Sequence, residues 1–140
     1  MQHIVVHEYG GPEVMKLEEA PTPQPGPGQA LIKIAAAGVN FVDIYQRSGM
    51  YKVPLPALIG GEGAGTVQAV GSDVSEVRPG DRVAWFQGNS SYASDVVLPV
   101  ERLVPVPEGL SLEQAAAVIL QGTTAHVLSR SAYPVKPGDR

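Results

Sequence analysis

The chain is 140 residues long, about one domain by the usual size prior. Gly 16 and Pro 13 together make about a fifth of it, nearly double the ordinary share; this excludes a helical bundle and predicts short strands joined by tight turns. Cysteine is absent, which excludes disulfides, thiolate metal ligands and a cysteine nucleophile, and 10 basic against 14 acidic residues with no block of like charge lacks the basic footprint of a nucleic-acid binder.

Gln2 to Glu8 is predicted as a strand centred on Ile4, Val5 and Val6. Gly10-Gly11-Pro12 is a turn, and Val14 to Glu19 pairs back as a hairpin. The prolines of Pro21 to Gly28 cannot join a ladder, so this stretch is an extended surface connector. Ala30 to Ala37 is a strand ended by Gly38. Asn40 to Ser48 is a short helix, because Phe41, Ile44 and Tyr45 recur at helical spacing. Pro54 and Pro56 mark a loop. Gly60 to Gly65 reads as a tight bend with close backbone packing, leading into a strand from Thr66 to Val70. Pro79-Gly80-Asp81 turns into a strand from Arg82 to Phe86. Ser91 to Leu98 and Leu103 to Val106 complete about seven strands, at the spacing of an all-β barrel or sandwich.

At Ser111 the pattern changes. Ser111-Leu112-Glu113-Gln114 fits a capping box, and Ala115 to Leu120 continue a helix. Gly122 is expected to interrupt it, with Thr123 to Ala132 forming a second helix. The chain closes on Lys136-Pro137-Gly138-Asp139-Arg140. The same turn at Arg78-Pro79-Gly80-Asp81-Arg82 delivers a strand, so a strand is expected beyond Arg140, in a longer protein. A natural product of 14.7 kDa is the competing reading. The start Met1-Gln2-His3-Ile4 is not a secretory signal and no apolar run approaches a membrane span, so a cytoplasmic protein without membrane partners is expected. Asn89-Ser90-Ser91 matches a glycosylation sequon, which has no meaning without secretion.

Five segments occur in order: Gly10-Gly11-Pro12-Glu13-Val14, Gly38-Val39-Asn40-Phe41-Val42-Asp43, Arg47-Ser48-Gly49-Met50-Tyr51, Gly60-Gly61-Glu62-Gly63-Ala64-Gly65 and Pro79-Gly80-Asp81-Arg82-Val83. Together they resemble the N-terminal catalytic domain of the medium-chain dehydrogenase/reductase superfamily, in its zinc-free quinone oxidoreductase branch of zeta-crystallin type. The resemblance runs the length of the chain. It implies a mainly β fold: a GroES-like β-barrel with a C-terminal helical segment, truncated before a Rossmann domain. Residues 1–124 would be the catalytic or substrate domain, and 125–140 the helix and turn leading onward. In that family some barrel strands return after the Rossmann domain, so an open sheet edge is expected here.

Dinucleotide binding needs G-x-G-x-x-G between a strand and a helix. The candidate runs fail at Thr66, Gln68 and Leu31, where the third glycine should stand. The cofactor's phosphates are therefore expected to be held by other sequence, with this domain as one wall of the cleft. Zinc wants three ligands and an open site. The zinc-dependent relatives carry a cysteine and a His-Glu pair where this chain has Asn40 and Gly61-Glu62, and a proton-relaying hydroxyl where it has Val42. His3 and His7 lie about 13 Å apart on one predicted strand, and His126 stands alone. No catalytic zinc is expected. A quinone tolerates that lack, because it is electron-poor and its reduced anion is delocalised; it needs orientation, desolvation and a hydrogen-bond donor.

The resemblance places Asn40 and Thr124 at the cofactor, near the nicotinamide end, and Tyr45 and Tyr51 as catalytic residues lining the nicotinamide and quinone cleft. Read without it, Asn40 is a helix cap, Thr124 a helix-start hydroxyl, and the tyrosines are half-buried packing groups with wet hydroxyls. Asp43 and Arg47 read as a local or helix-end charge pair, and Glu62 as a buried carboxylate, hydrogen-bonded or ion-paired, rather than a general acid. No residue suits a general base, which fits a proton drawn from solvent. The resemblance implies an NADPH-dependent quinone reductase, a homo-oligomer acting on a quinone or other electrophilic small molecule, with this chain alone inactive. The alternatives are an enoyl or enone reductase of the same superfamily, or a binding module such as an RNA binder, which the net charge of −4 disfavours.

Overall fold

Among the described residues eight strands and two α-helices carry the fold: β1 (Gln2–Val6), β2 (Met15–Glu19), β3 (Gln29–Gly38), α1 (Phe41–Ser48), β4 (Ala57–Leu58), β5 (Glu62–Val70), β6 (Arg82–Trp85), β7 (Asp95–Pro99), β8 (Val104–Pro105) and α2 (Leu112–His126). They are those of a computed structural model that describes residues 1–88 and 90–139. Asn89 of the sequon and the terminal Arg140 lie outside the described residues.

The predicted hairpin forms, with Gln2 opposite Glu19 and Val6 opposite Met15. β4 joins the other edge of β1 and completes a three-stranded sheet. β4 was not expected, because two residues behind Pro56 are too few to show a period. The second sheet has the order β7-β3-β5-β6-β8, antiparallel throughout. Its core is built from Ile32, Val67, Val83 and Trp85, all buried. The Trp85 indole N–H donates to Ser91 Oγ at 2.9 Å, so its one polar atom is satisfied. Val6, Val14, Ala57 and Ile59 form a second cluster under the smaller sheet.

β5 begins at Glu62, four residues before its expected start, and runs through the glycine-rich segment. Glycine's poor strand propensity hides this in the sequence, and packing overrides it. A Cβ on Gly63 would lie 2.5 Å from Trp85 Cζ2, and one on Gly65 would collide with the Lys33 carbonyl. The expected close backbone packing is thus present inside a strand, with the bend at Gly60, φ +98°.

α1 is closed by Gly49, whose φ of +80° suits a left-handed cap. The apolar stripe that marks α1 as a helix faces outward: Phe41 is 73% exposed, whereas Asp43 is 3% exposed. The expected break at Gly122 does not occur. α2 is continuous from Leu112 to His126, and Val127–Ala132 extends it as a π-helical turn instead of a second helix. One glycine in an exposed helix costs only about 1 kcal/mol, too little by itself to end the helix; the Thr123 hydroxyl meanwhile donates back to the Ile119 carbonyl at 2.6 Å. α2 lies on the larger sheet through Ala115 and Ala116 against Ala64 and Ala84. These small side chains let the helix backbone come close to β5.

Candidate functional site

The close approach of α2 brings the Leu120 backbone N–H to Glu62 Oε1, at 2.9 Å. Glu62 is 1% exposed. Its Oε2 accepts from Asn40 Nδ2, also at 2.9 Å. Gln121 Nε2 lies 3.2 Å from Asn40 Oδ1 and 3.4 Å from Glu62 Oε2. Turning that amide over would place its nitrogen 3.0 Å from Glu62 Oε1 and from the Ala117 carbonyl, but would oppose two oxygens at Asn40. Glu62 receives a Gln121 N–H in either orientation. Gly38 stands opposite Glu62 in the β3–β5 register, and a Cβ there would collide with the carboxylate. Of the two roles expected for a buried Glu62, the hydrogen-bonded one forms, and the carboxylate is the meeting point of β3, β5, α1 and α2.

A second buried carboxylate holds the same asparagine from the other side. Asn40 is the N-cap of α1, and its backbone N–H donates to Asp43 Oδ2 at 2.8 Å. That oxygen also accepts from the Tyr92 hydroxyl at 2.9 Å. Burial pushes the Tyr92 phenol well above its ordinary value, and the hydrogen bond and charge of Asp43 add to the shift. The expected Asp43–Arg47 charge pair does not form among the described residues: Asp43 Oδ1 and Arg47 Nε are both buried without a protein partner.

By helical arithmetic α1 presents separate stripes about 100° apart per residue. Val42 and Gln46 line a cleft of ≈ 280 Å³ with Asn40, Gly61, Gln87 and Leu120. Ile44 and Arg47 face another, of ≈ 290 Å³, bounded by Met15, Ile59 and Tyr92. Tyr45 and Tyr51 line neither. Half-buried Tyr45 on α1 and exposed Tyr51 beyond Gly49 stand together, ring centroids 5.3 Å apart and edge-on at 64°, tied by a Tyr51 N–H to Tyr45 carbonyl bond of 2.9 Å. Phe41 continues the aromatic row at 6.2 Å. Neither tyrosine hydroxyl has a partner among the described residues, so both are open to solvent or ligand. Thr124 sits exposed in the last turns of α2, not at a helix start. Asn40, Tyr45 and Tyr51 thus share one helix and the turn behind it, while Thr124 belongs to another element.

Sequence reasoning missed Gln121 and Tyr92. Gln121 lies one helical turn before Thr124, and a continuous α2 would have put it on the same face. Tyr92 carries no local signal, because its partner Asp43 is distant in sequence.

The donor chemistry does not suit a metal. Around Glu62 stand N–H groups from Asn40, Gln121 and Leu120, which point hydrogens at the carboxylate where a cation would need lone pairs. Among the described residues no three His, Cys, Asp or Glu side chains gather into a metal-holding group. The residues fit one end of a nicotinamide cofactor better. Asn40 offers a fixed amide beside a cleft, and the tyrosines offer free phenols on flat apolar rings. The third glycine of a pyrophosphate-binding turn is missing from every candidate run.

Residues 26–108 match the family described as alcohol dehydrogenase GroES-like domain. The chain is 45% identical to a quinone oxidoreductase of Pseudomonas aeruginosa over 133 residues, covering 94% of this chain and 41% of that protein. It is 37% identical to a 2-haloacrylate reductase of a Burkholderia species, covering 96% of this chain and 43% of that one. The solved Escherichia coli quinone oxidoreductase complexed with NADPH superposes with a TM-score of 0.96 at 38% identity, over 99% of this chain and 43% of that chain. The chain spans about two-fifths of the length of these relatives.

Proposed function

Because the chain belongs to the alcohol dehydrogenase GroES-like domain family, we propose that it forms the acceptor-binding wall of an NADPH-dependent quinone reductase that works without zinc. The observation that carries this reading is the Asn40 amide, fixed by buried Glu62, at the start of a helix that carries Tyr45 and leads into Tyr51, two tyrosines whose hydroxyls have no partner among the described residues. Likeness to quinone oxidoreductases, one of them complexed with NADPH, supports the cofactor and the acceptor.

In this reading Tyr45 and Tyr51 present O–H donors to a quinone oxygen as it gains charge, and their rings shield it from water. Asn40 faces the nicotinamide-ribose end, with the Thr124 hydroxyl toward the same end. NADPH, when bound, supplies the hydride, and a solvent proton completes the hydroquinone. No side chain is needed as a general base. In this reading residues 1–124 are the substrate domain and 125–140 the segment that leads onward to a dinucleotide-binding domain. A cytoplasmic homo-oligomer with no nucleic-acid or membrane partner completes the proposal; among the described residues no helix is long and apolar enough to cross a membrane.

A second reading, reduction of an activated alkene, is favoured by the likeness to 2-haloacrylate reductase. The test is an assay of the chelator-treated full gene product with NADPH or NADH against 1,4-benzoquinone, a naphthoquinone and a crotonyl thioester. Quinone turnover with NADPH is the expected result. Faster turnover of the thioester selects the second reading, and metal-dependent activity alone overturns the zinc-free mechanism.

A further inference from the structure

The two donors that Glu62 receives from Asn40 and Leu120 differ in freedom. The Leu120 N–H is backbone and cannot turn; the Asn40 amide can. A carboxylate accepts at both oxygens and so satisfies both donors at once. A glutamine of the same shape could not. Its oxygen would go to Leu120, and its N–H2 would meet the Asn40 N–H2, forcing the Asn40 amide to invert. The surroundings are built for the carboxylate: Gly38 leaves it room, and the alanine seam of α2 delivers the fixed N–H.

We infer that Glu62 is a positioning residue that locks the Asn40 amide in one orientation, its N–H2 turned inward and its carbonyl oxygen left as the acceptor that a bound ligand meets. The matching group on the ligand is a donor, a hydroxyl or an amide N–H, as both the ribose and the carboxamide of a nicotinamide nucleotide provide. This ligand class rests on the reductase reading above; the orientation of the amide does not. Gln121 Nε2, 3.2 Å from Asn40 Oδ1, meets the same carbonyl oxygen and is the group a bound donor would join or displace.

The test has two arms. In the isotope-labelled 140-residue chain, a scalar coupling across the hydrogen bond from Asn40 Nδ2 to the Glu62 carboxyl carbon is expected. In Glu62→Gln that coupling is lost and the Asn40 side-chain amide resonances shift, while the Leu120 amide stays protected. No coupling in the wild type overturns the inference, whatever Glu62→Gln does to folding.

In the full gene product, assayed with NADPH and 1,4-benzoquinone, Glu62→Gln is expected to raise the KM for NADPH about tenfold, the effect of one misdirected hydrogen bond. The quinone KM and kcat stay within about twofold, and Glu62→Gln adds nothing to Asn40→Ala, since both act through one group. Equal losses for both substrates, additive with Asn40→Ala, show a merely structural Glu62 and overturn the proposal. A wild type that oxidises no NADPH overturns the reductase reading instead; the coupling then decides the amide's orientation by itself.

Discussion

Two buried carboxylates meet at Asn40, and no cation pairs with either among the described residues. Asp43 is held by a backbone N–H and by the Tyr92 phenol. Removing that phenol leaves an acceptor short of one partner, so Tyr92→Phe should lower stability at neutral pH by about 1.5–3 kcal/mol, the usual worth of a hydrogen bond to a charged group. The same pair sets a pH dependence. Folding raises the Tyr92 pKa, so above pH of about 10 the unfolded chain loses this proton while the folded chain keeps it. The folded state then binds more protons, and stability falls as pH rises. Urea titrations at stepped alkaline pH should show that decline, and Tyr92→Phe should lessen it; an equal slope in both proteins would remove Tyr92 as its source. At this scale the sequence was partly legible. Asn40 as a cap and Glu62 as a buried acceptor follow from residue type and place. Tyr92 and Gln121 do not, because their partners lie far away in the chain and only the folded sheets bring them near.

α2 is the element on which the site depends, and its start is tightly specified. The Ser111 hydroxyl accepts from the Gln114 N–H at 3.1 Å, and the Gln114 side chain accepts from the Ser111 N–H at 2.9 Å. The Glu113 backbone N–H first, and then the Ser111 hydroxyl, hold the exposed Glu113 carboxyl below its ordinary range. Arg82 adds a guanidinium hydrogen bond to the Leu110 carbonyl just ahead of the helix. Ser111→Ala is expected to cost about 1 kcal/mol, read as a lower urea midpoint at unchanged slope. The capping box was readable because its two residues sit three apart. The course of α2 beyond Leu120 was not, since a glycine penalty of about 1 kcal/mol was weighed as if it were enough to end the helix. The early start of β5 escaped for the same reason: propensity speaks against glycine, whereas the Trp85 ring and the Lys33 carbonyl demand it.

The two sheets are stitched together as well as packed. The Ile4 N–H donates to the Tyr92 carbonyl, and the Ser94 N–H to the Gln2 carbonyl, both at 2.8 Å. Trp85, the single tryptophan, lies in the larger sheet with no exposed surface. Its fluorescence and the far-ultraviolet circular dichroism should therefore change in one coincident urea transition; separate midpoints would show that the sheets unfold independently. The barrel-like β architecture was legible at this scale because turn residues bound each apolar run. The pairing order was not, because β7 reaches β3 from far along the chain, Pro99 standing opposite Gln29. The glycines at 38, 63 and 65 have a further consequence for anyone who would evolve this protein in the laboratory. Their backbones are pressed against neighbouring atoms, so variants at these three positions are mostly dead weight in a random library. The side chains of Val42 and Gln46 line the cleft and take no part in capping their helix, and diversity placed there alters the chemistry of the cleft while the scaffold keeps its shape.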